Sequence, residues 1–362
     1  MNSRVLIGAN SFMKDFRERA NEAKKSLFVQ AMTFEGDSAG EELIDIMASS
    51  PAKDKRLLVD SYSKAVINDS FIFSPKYLKD KAFRQEVKNT RRILKSSSKY
   101  GIEVKLTNPL GFFMLRYPLR NHKKMVVVDE QTTYLGGINF SDHNFEWHDM
   151  MVAIESRETG SIIAADFNKT WNGENQSTSI DVDDSTIYFF NGIKSSGLYE
   201  KLFDKIRKAK KSVEIISPYI SNPLLGVLKQ VPKEVEVSII SPAKNNKSVF
   251  KDILLSELQW GYFRMFEYPG MSHLKAILID GETLLFGSSN YDIVSYYWEQ
   301  EVVLETTNQK LIEEFKNIVL MPAKDRCVEI SDQASLESRS LKLLKIVEWF
   351  CRISSKSFLK PH

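Results

Sequence analysis

Asn121-His122-Lys123-Lys124-Met125-Val126-Val127-Val128-Asp129 is a stretch that this chain writes twice. Spelled as His-x-Lys-(x)4-Asp-(x)6-Gly-(Gly/Ser)-x-Asn, the first copy runs through His122, Lys124, Asp129, Gly136, Gly137 and Asn139. The second runs through His273, Lys275, Asp280, Gly287, Ser288 and Asn290, and in both copies the histidine-to-asparagine span is 17 residues. Tyr117-Pro118 and Tyr268-Pro269 even place a proline four residues before each histidine. Matches at six fixed positions mark an internal duplication, which predicts two similar lobes related by a pseudo-twofold axis.

Outward from the motif, the flanking elements repeat as well. Met125 to Val128 and Ala276 to Ile279 are apolar runs of the kind found in central strands. Phe12, Phe16 and Ala20 recur at helical spacing within residues 11–25, and Leu27 to Met32 reads as a buried strand. A helix from Glu41 to Ser50 and a strand from Lys55 to Asp60 follow. The order returns as a helix from Tyr199 to Lys211, a strand from Ser212 to Ser217, a short helix from Leu224 to Val231 and a strand from Val235 to Ser241. Strand–helix–strand order predicts an α/β fold, each lobe a mixed sheet flanked by helices. Ser26 and Ser212 differ by 186 positions but the histidines by 151, so the first lobe carries about 35 extra residues, placed at 62–98. The expected organisation is a first lobe at 1–180, a second at 181–330 and a tail at 331–362. Within the tail, residues 336–353 form a basic amphipathic pattern.

Composition sets outer bounds. The 362 residues carry 50 basic and 47 acidic side chains, a net charge of only +3, so no global field marks a nucleic-acid binder. The cysteines, Cys327 and Cys351, are too few for a disulfide framework and fit a reducing compartment. There is no apolar run of about 18 residues and no signal-peptide pattern, so the expected location is cytoplasmic, with membrane contact peripheral. Gly111-Phe112-Phe113-Met114-Leu115 reads equally as an exposed lipid-touching loop or as a buried strand matching Tyr262 to Phe266.

The repeated residue types suit a phosphodiester. Lys124 and Lys275 would neutralise the anion, while Asn139, Asn290 and Ser288 would donate to its oxygens as the five-coordinate transition state forms. One neutral imidazole of the pair His122 and His273 would attack phosphorus, and the other, protonated, would serve the leaving oxygen. Asp149, 27 residues after His122, and Glu301, 28 after His273, are candidates to orient the rings. Asp129 and Asp280 complete the catalytic motifs, chiefly in support. No cofactor or metal is expected, since neither a thiolate cluster nor a His-Glu-x-x-His pattern occurs; His143 and His148 are irregularly spaced.

The double motif resembles the phospholipase D superfamily over roughly residues 8–325, and within it bacterial cardiolipin synthases. The resemblance rests on Arg120 to Lys124, Gly136-Gly137-Ile138-Asn139, Trp147-His148-Asp149, Asp166-Phe167, Trp171, Ser217-Pro218-Tyr219 and Gly287 to Asp292. It implies one shared active site, a covalent phosphohistidine on His122, and His273 as acid/base. It also implies a phosphatidyltransferase using a phospholipid at a membrane surface, with phospholipase D hydrolysis as the alternative and nucleic-acid cleavage third. Nothing fixes the oligomeric state. The chain departs from the family at Val294-Ser295, where Arg-Ser is usual, at Glu299, where asparagine is usual, and in lacking leading membrane-spanning helices.

Overall fold

The computed structural model describes residues 2–331, so the basic helix expected at 336–353 lies outside the described residues. The chain divides between Gln176 and Ser177 into two compact units. In the first, the order is β1 (Asn2–Ile7), α1 (Ala9–Glu22), β2 (Ser26–Ala31), α2 (Ser38–Ser49) and β3 (Asp54–Asp60). Next come β4 (Val66–Ile67), β5 (Ser70–Phe71), α3 (Pro75–Lys79), α4 (Lys81–Ser96) and β6 (Ile102–Thr107). The motif strand β7 (Met125–Val128) is followed by β8 (Thr132–Gly136), α5 (Asp142–Phe145), β9 (Met150–Glu155) and α6 (Arg157–Trp171).

Seven of these strands form one mixed sheet in the order β1-β9-β8-β7-β2-β3-β6. Strands β2, β3 and β6 run parallel, and the remaining neighbours are antiparallel. Alternation along β2 shows why Leu27, Phe28, Val29 and Ala31 are apolar on both of its faces. Leu27, Val29 and Ala31 enter the core built with Phe12, Phe16 and Ala20 of α1 and Leu43, Ile46 and Met47 of α2. Phe28 points the other way and stacks on Phe167 of α6, ring centroids 4.8 Å apart. A strand covered on both faces needs no polar alternation. Helix ends are capped by side chains, with Asp37 accepting from the Gly40 N–H and Ser156 from the Thr159 N–H.

The second unit comprises β10 (Thr178–Val182), β11 (Ser185–Asn191), α7 (Ser196–Arg207), β12 (Ser212–Ile216), α8 (Leu224–Leu228) and β13 (Glu236–Pro242). It continues with α9 (Ser248–Leu258), β14 (Arg264–Tyr268), β15 (Ala276–Ile279), β16 (Thr283–Gly287), α10 (Ile293–Tyr297) and β17 (Gln300–Thr306). Last come α11 (Gln309–Phe315), α12 (Met321–Arg326) and β18 (Val328–Ile330). Its sheet order is β10-β11-β17-β16-β15-β12-β13-β14-β18. With the two outer strands set aside, this is the first unit's order and direction pattern, strand for strand. The α/β class expected from the repeat therefore holds, two mixed sheets each flanked by helices.

The units differ most in the crossover between their last two parallel strands. In the first it carries β4, β5, α3 and α4 before β6, and in the second only α9 before β14. This topology also makes β6 the counterpart of β14. Phe112 to Met114 form instead an exposed turn of 3-10 helix, so the buried-strand alternative for that stretch is overturned. Phe113 and Met114 there adopt φ of 48° and 58°, which a strand does not accommodate.

Candidate active site

His122, Lys123 and Lys124 sit in extended backbone just ahead of β7, and Leu274 and Lys275 lie just ahead of β15 in the same way. Successive side chains alternate in extended chain. Lys123 accordingly turns into the first unit's interior, where its ammonium donates to Asp166 Oδ2 at 2.6 Å and Thr170 Oγ1 at 3.0 Å, both on α6. At the corresponding position Leu274 is fully buried. That alternation leaves histidine and lysine together on the opposite side in each copy.

Both motif lysines are held by their own histidine. Lys124 Nζ donates to the His122 carbonyl at 2.7 Å, and Lys275 Nζ to the His273 carbonyl. All four side chains are buried. Around His122, the preceding residues are fixed by Asp60 at the end of β3. Its carboxylate accepts from Arg120 Nη1 at 2.5 Å and from the Asn121 N–H at 2.6 Å, and Asn121 Oδ1 accepts from Gln30 Nε2 at 2.9 Å. Burial pushes the Asp60 carboxyl up to about 7, against the pull of Arg120 and the N–H groups of Asn121 and Tyr62. Around His273 the packing is aromatic. Tyr219 meets the imidazole edge-on with ring centroids 6.0 Å apart, its hydroxyl donates to Asn246 Oδ1, and Lys247 Nζ lies 4.5 Å from its ring.

Asp129 and Asp280 stand elsewhere. Seven residues of extended chain put them roughly 20 Å beyond their histidines, past the far ends of β7 and β15. Asp129 accepts from the backbone N–H groups of Lys24, Lys25 and Ser26 at 2.7–2.8 Å. Asp280 accepts from those of Lys210, Lys211 and Ser212 at 2.6–3.0 Å. Desolvation opposes the charge, but these donors outweigh it and hold both carboxyls below the usual range. Each carboxylate ties its motif strand to the start of the strand beside it.

The remaining candidates fall close to their motifs within each unit. Asn139 is buried, its Oδ1 accepting from the Thr33 N–H at 3.2 Å and its Nδ2 donating to Asn144 Oδ1 at 3.1 Å. The Asn290 carbonyl accepts from Ser217 Oγ at 3.0 Å, and its buried Oδ1 has no hydrogen-bond partner among the described residues. Ser288, expected to bind phosphate, is hydrogen-bonded within its own unit. Its one hydroxyl proton goes to Glu301 Oε2, while the oxygen accepts from the Val302 N–H at 3.0 Å. Glu301 Oε1 accepts from Ser295 Oγ at 2.8 Å, and the same hydroxyl lies 3.2 Å from Glu299 Oε2. Asp149 accepts from its neighbour's N–H, Met150, at 2.8 Å and packs directly against Gly137, where any Cβ would strike its carboxylate. Sequence reasoning missed the roles of Gln30, Asp60, Asn144 and Ser295, whose partners lie in other elements, and gave Lys123 and Asp166 no role.

Comparison with known proteins gives the family and the fold. A family model described as "Cardiolipin synthase, PLD-like domain" matches residues 16–171 and 202–320. The probable cardiolipin synthase YwiE of Bacillus subtilis is 23% identical over 346 residues, covering 86% of this chain and 64% of that protein. Cardiolipin synthase A of Buchnera aphidicola is 28% identical over 245 residues, 59% of this chain and 50% of its own. The chain thus spans about half to two thirds of the length of these relatives. Among solved structures, a phosphatidylserine synthase of Haemophilus influenzae aligns with a TM-score of 0.72 at 16% identity, over 98% of this chain and 94% of that one. A polyphosphate kinase of Porphyromonas gingivalis aligns at 0.61 and 11% identity, over 96% and 53%. At such identities the structures speak for the fold, and the family model for descent: the chain belongs to the phospholipase D superfamily of enzymes, in the family of cardiolipin synthase PLD-like domains.

Proposed function

We infer that the chain is a phosphatidyltransferase of the cardiolipin synthase type, its two motifs serving a single phosphodiester. One observation carries this reading: both copies keep a buried histidine whose carbonyl holds the ammonium of its own lysine, on the same scaffold. An ammonium has three donors, and the one given to the carbonyl orients the other two. In the first step His122 attacks phosphorus of a donor phospholipid, the bond to the headgroup oxygen breaks, and protonated His273 gives its proton to that oxygen. In the second, the hydroxyl of an acceptor such as phosphatidylglycerol loses its proton to His273 as its oxygen displaces His122. Asp149 and Glu301 would orient the rings. Use of water at the second step makes the same site a phospholipase D.

Peripheral contact with a membrane belongs to this reading. No helix among the described residues is long and apolar enough to cross a bilayer. The first unit instead exposes Phe112, Phe113 and Leu115 at 78%, 83% and 72%, and Phe73 and Leu78 at 78% and 79%. Phe71 contacts Tyr117 with ring centroids 5.5 Å apart, which joins the two stretches. Lys79, Lys81 and Arg116 are exposed beside them. An apolar tip with basic neighbours suits an anionic lipid surface.

Purified protein incubated with phosphatidylglycerol vesicles, with and without phosphatidylethanolamine, and with single-stranded DNA, gives products identifiable by mass. Cardiolipin supports transfer, phosphatidic acid supports hydrolysis, and shortened DNA overturns the lipid reading. His122→Ala should abolish the product together with acid-labile phosphate on the protein. The pH–rate profile should be bell-shaped, because one ring must be neutral while the other is protonated.

A further inference from the structure

Away from the motif histidines, the segment inserted between β3 and β6 meets the β2–α2 loop at a cluster of carboxylates. We propose that Glu35, Asp37 and Glu86 bind a hard divalent cation, calcium or magnesium, which clamps the inserted helix α4 onto the first unit. Their ligand oxygens all lie within 4.8 Å of one another. Two oxygens on opposite sides of a calcium ion, each at about 2.4 Å, are that far apart.

Glu35 is the observation that points to a ligand. Its side chain is 1% exposed, and Oε1 accepts from the Asn68 N–H at 2.9 Å. Oε2 is buried without a hydrogen-bond partner among the described residues, with His143 Nδ1 beyond hydrogen-bond distance at 3.6 Å. A carboxylate can only accept, so facing Glu86 and Asp37 it needs a proton or a cation between them. Asp37 is already fixed by the N–H groups of Gly40 and Asp142 at 3.1 and 2.6 Å, leaving lone pairs on both oxygens. His143 faces two of the acids, Nδ1 lying 3.6 Å from Glu35 Oε2 and Nε2 3.9 Å from Asp69 Oδ2. One imidazole does not balance that many acids. An all-oxygen donor set favours calcium or magnesium over softer metals.

The placement gives the ion a task. Glu35 and Asp37 belong to the loop after β2, and Glu86 to α4, so the ligands come from both sides of one joint. The joint itself is tight: Gly36 N–H donates to Thr90 Oγ1 at 2.7 Å, and a Cβ on Gly36 would collide with the α4 backbone. In the second unit the equivalent crossover carries only α9. His143 Nε2 also lies 2.5 Å from Asn144 Nδ2, and Asn144 accepts from the motif residue Asn139. Occupancy is thereby two side chains from the first motif.

The test strips the full chain with a chelator, removes the chelator, and titrates calcium or magnesium alone by calorimetry and thermal melting. The expected result is saturable binding of one ion per chain. At free metal a hundredfold above Kd, the melting temperature rises by about 5 °C or more. Glu86→Gln and Glu35→Gln should each weaken binding at least tenfold, while Gly36 and Thr90 keep α4 docked. Absence of saturable binding overturns the proposal. So does binding that survives Glu86→Gln unchanged, or Glu86→Gln that stabilises the metal-free protein without altering its response to metal, which is the signature of a shared proton. None of these readouts depends on the chain's catalytic activity.

Discussion

Replacing Asp129 by asparagine separates anchoring from catalysis. The carboxylate accepts three backbone N–H groups from Lys24, Lys25 and Ser26. Its backbone φ is 52°, a left-handed value that asparagine also tolerates, so Asp129→Asn removes hydrogen bonds without adding strain. Charge-assisted bonds contribute about 1.5–3 kcal/mol each when buried. Asp129 is half exposed, and an asparagine oxygen still accepts part of the set, so a total loss of about 2–3 kcal/mol is reasonable. For a unit of this size that lowers Tm by roughly 4–10 °C. The sign of the pH dependence follows from the lowered carboxyl pKa. The stabilisation is complete above the unfolded value near pH 4 and is lost as pH falls through the lower folded value. The Tm difference between wild type and variant should stay constant from pH 8 to about 5 and close under acid conditions. Turnover measured well below Tm should fall less than about threefold. A collapse of kcat with Tm unchanged would refute the anchoring role and restore Asp129 to the chemistry. Asp280→Asn should behave alike, since three N–H groups meet it in the same way.

Further expectations concern the first unit. Lys123→Ala strands buried Asp166 without its cation and should cost about 3–5 kcal/mol in chemical denaturation. Lys123→Leu with Asp166→Leu should recover much of that, as Leu274 fills the corresponding place in the second unit. Asp60 titrates in the opposite sense from Asp129: with its carboxyl raised to about 7, its contribution is full below about pH 4 and fades as pH rises through 7. Denaturation from pH 4 to 8 should show that slope, and Asp60→Asn should flatten it. Phe112→Asp with Phe113→Asp should reduce flotation with anionic vesicles at least tenfold while leaving Tm unchanged, because both rings are exposed.

The parts legible in the sequence were those written locally. The motif strands fall at Met125–Val128 and Ala276–Ile279, because four consecutive apolar residues bounded by polar ones leave little choice of register. Strand β1 was not read, because Asn2–Ile7 owes its place to pairing with β9 some 150 residues away. The Gly111 to Leu115 stretch was ambiguous because apolar composition alone does not distinguish a core strand from a projecting turn; backbone φ decides it. Side-chain roles were harder still. Histidine, lysine and asparagine carry their chemistry in the motif, whereas the partners of Ser288 and Asp129 are not written there. Glu301 and the N–H groups at 24–26 come from other parts of the chain.

Asp149 and Glu301 show how a duplicated scaffold gives equivalent positions different surroundings. Gly136 pairs with Met151 and Gly287 with Val303, so Asp149 and Glu301 occupy equivalent registers two residues earlier, and the difference between 27 and 28 is absorbed in the preceding loop. What surrounds them is not equivalent. The shorter Asp149 lies where a side chain at 137 would begin, which only glycine permits. The longer Glu301 leaves room for Ser288, and hydroxyls from Ser288 and Ser295 support its two oxygens. Exchanging the two residues should therefore be asymmetric. Gly137→Ser forces a buried carboxylate from its place and should lower both Tm and turnover. Ser288→Gly only deletes one charge-assisted donor to Glu301, about 1.5–3 kcal/mol of support. Its expected mark is an altered acid limb of the pH–rate profile in a protein that still folds. Equal damage from both exchanges, with pH profiles unmoved, would mean that the carboxylates merely fill space. An asymmetric outcome would tie the difference between the two motifs to the hydrogen bonds behind them.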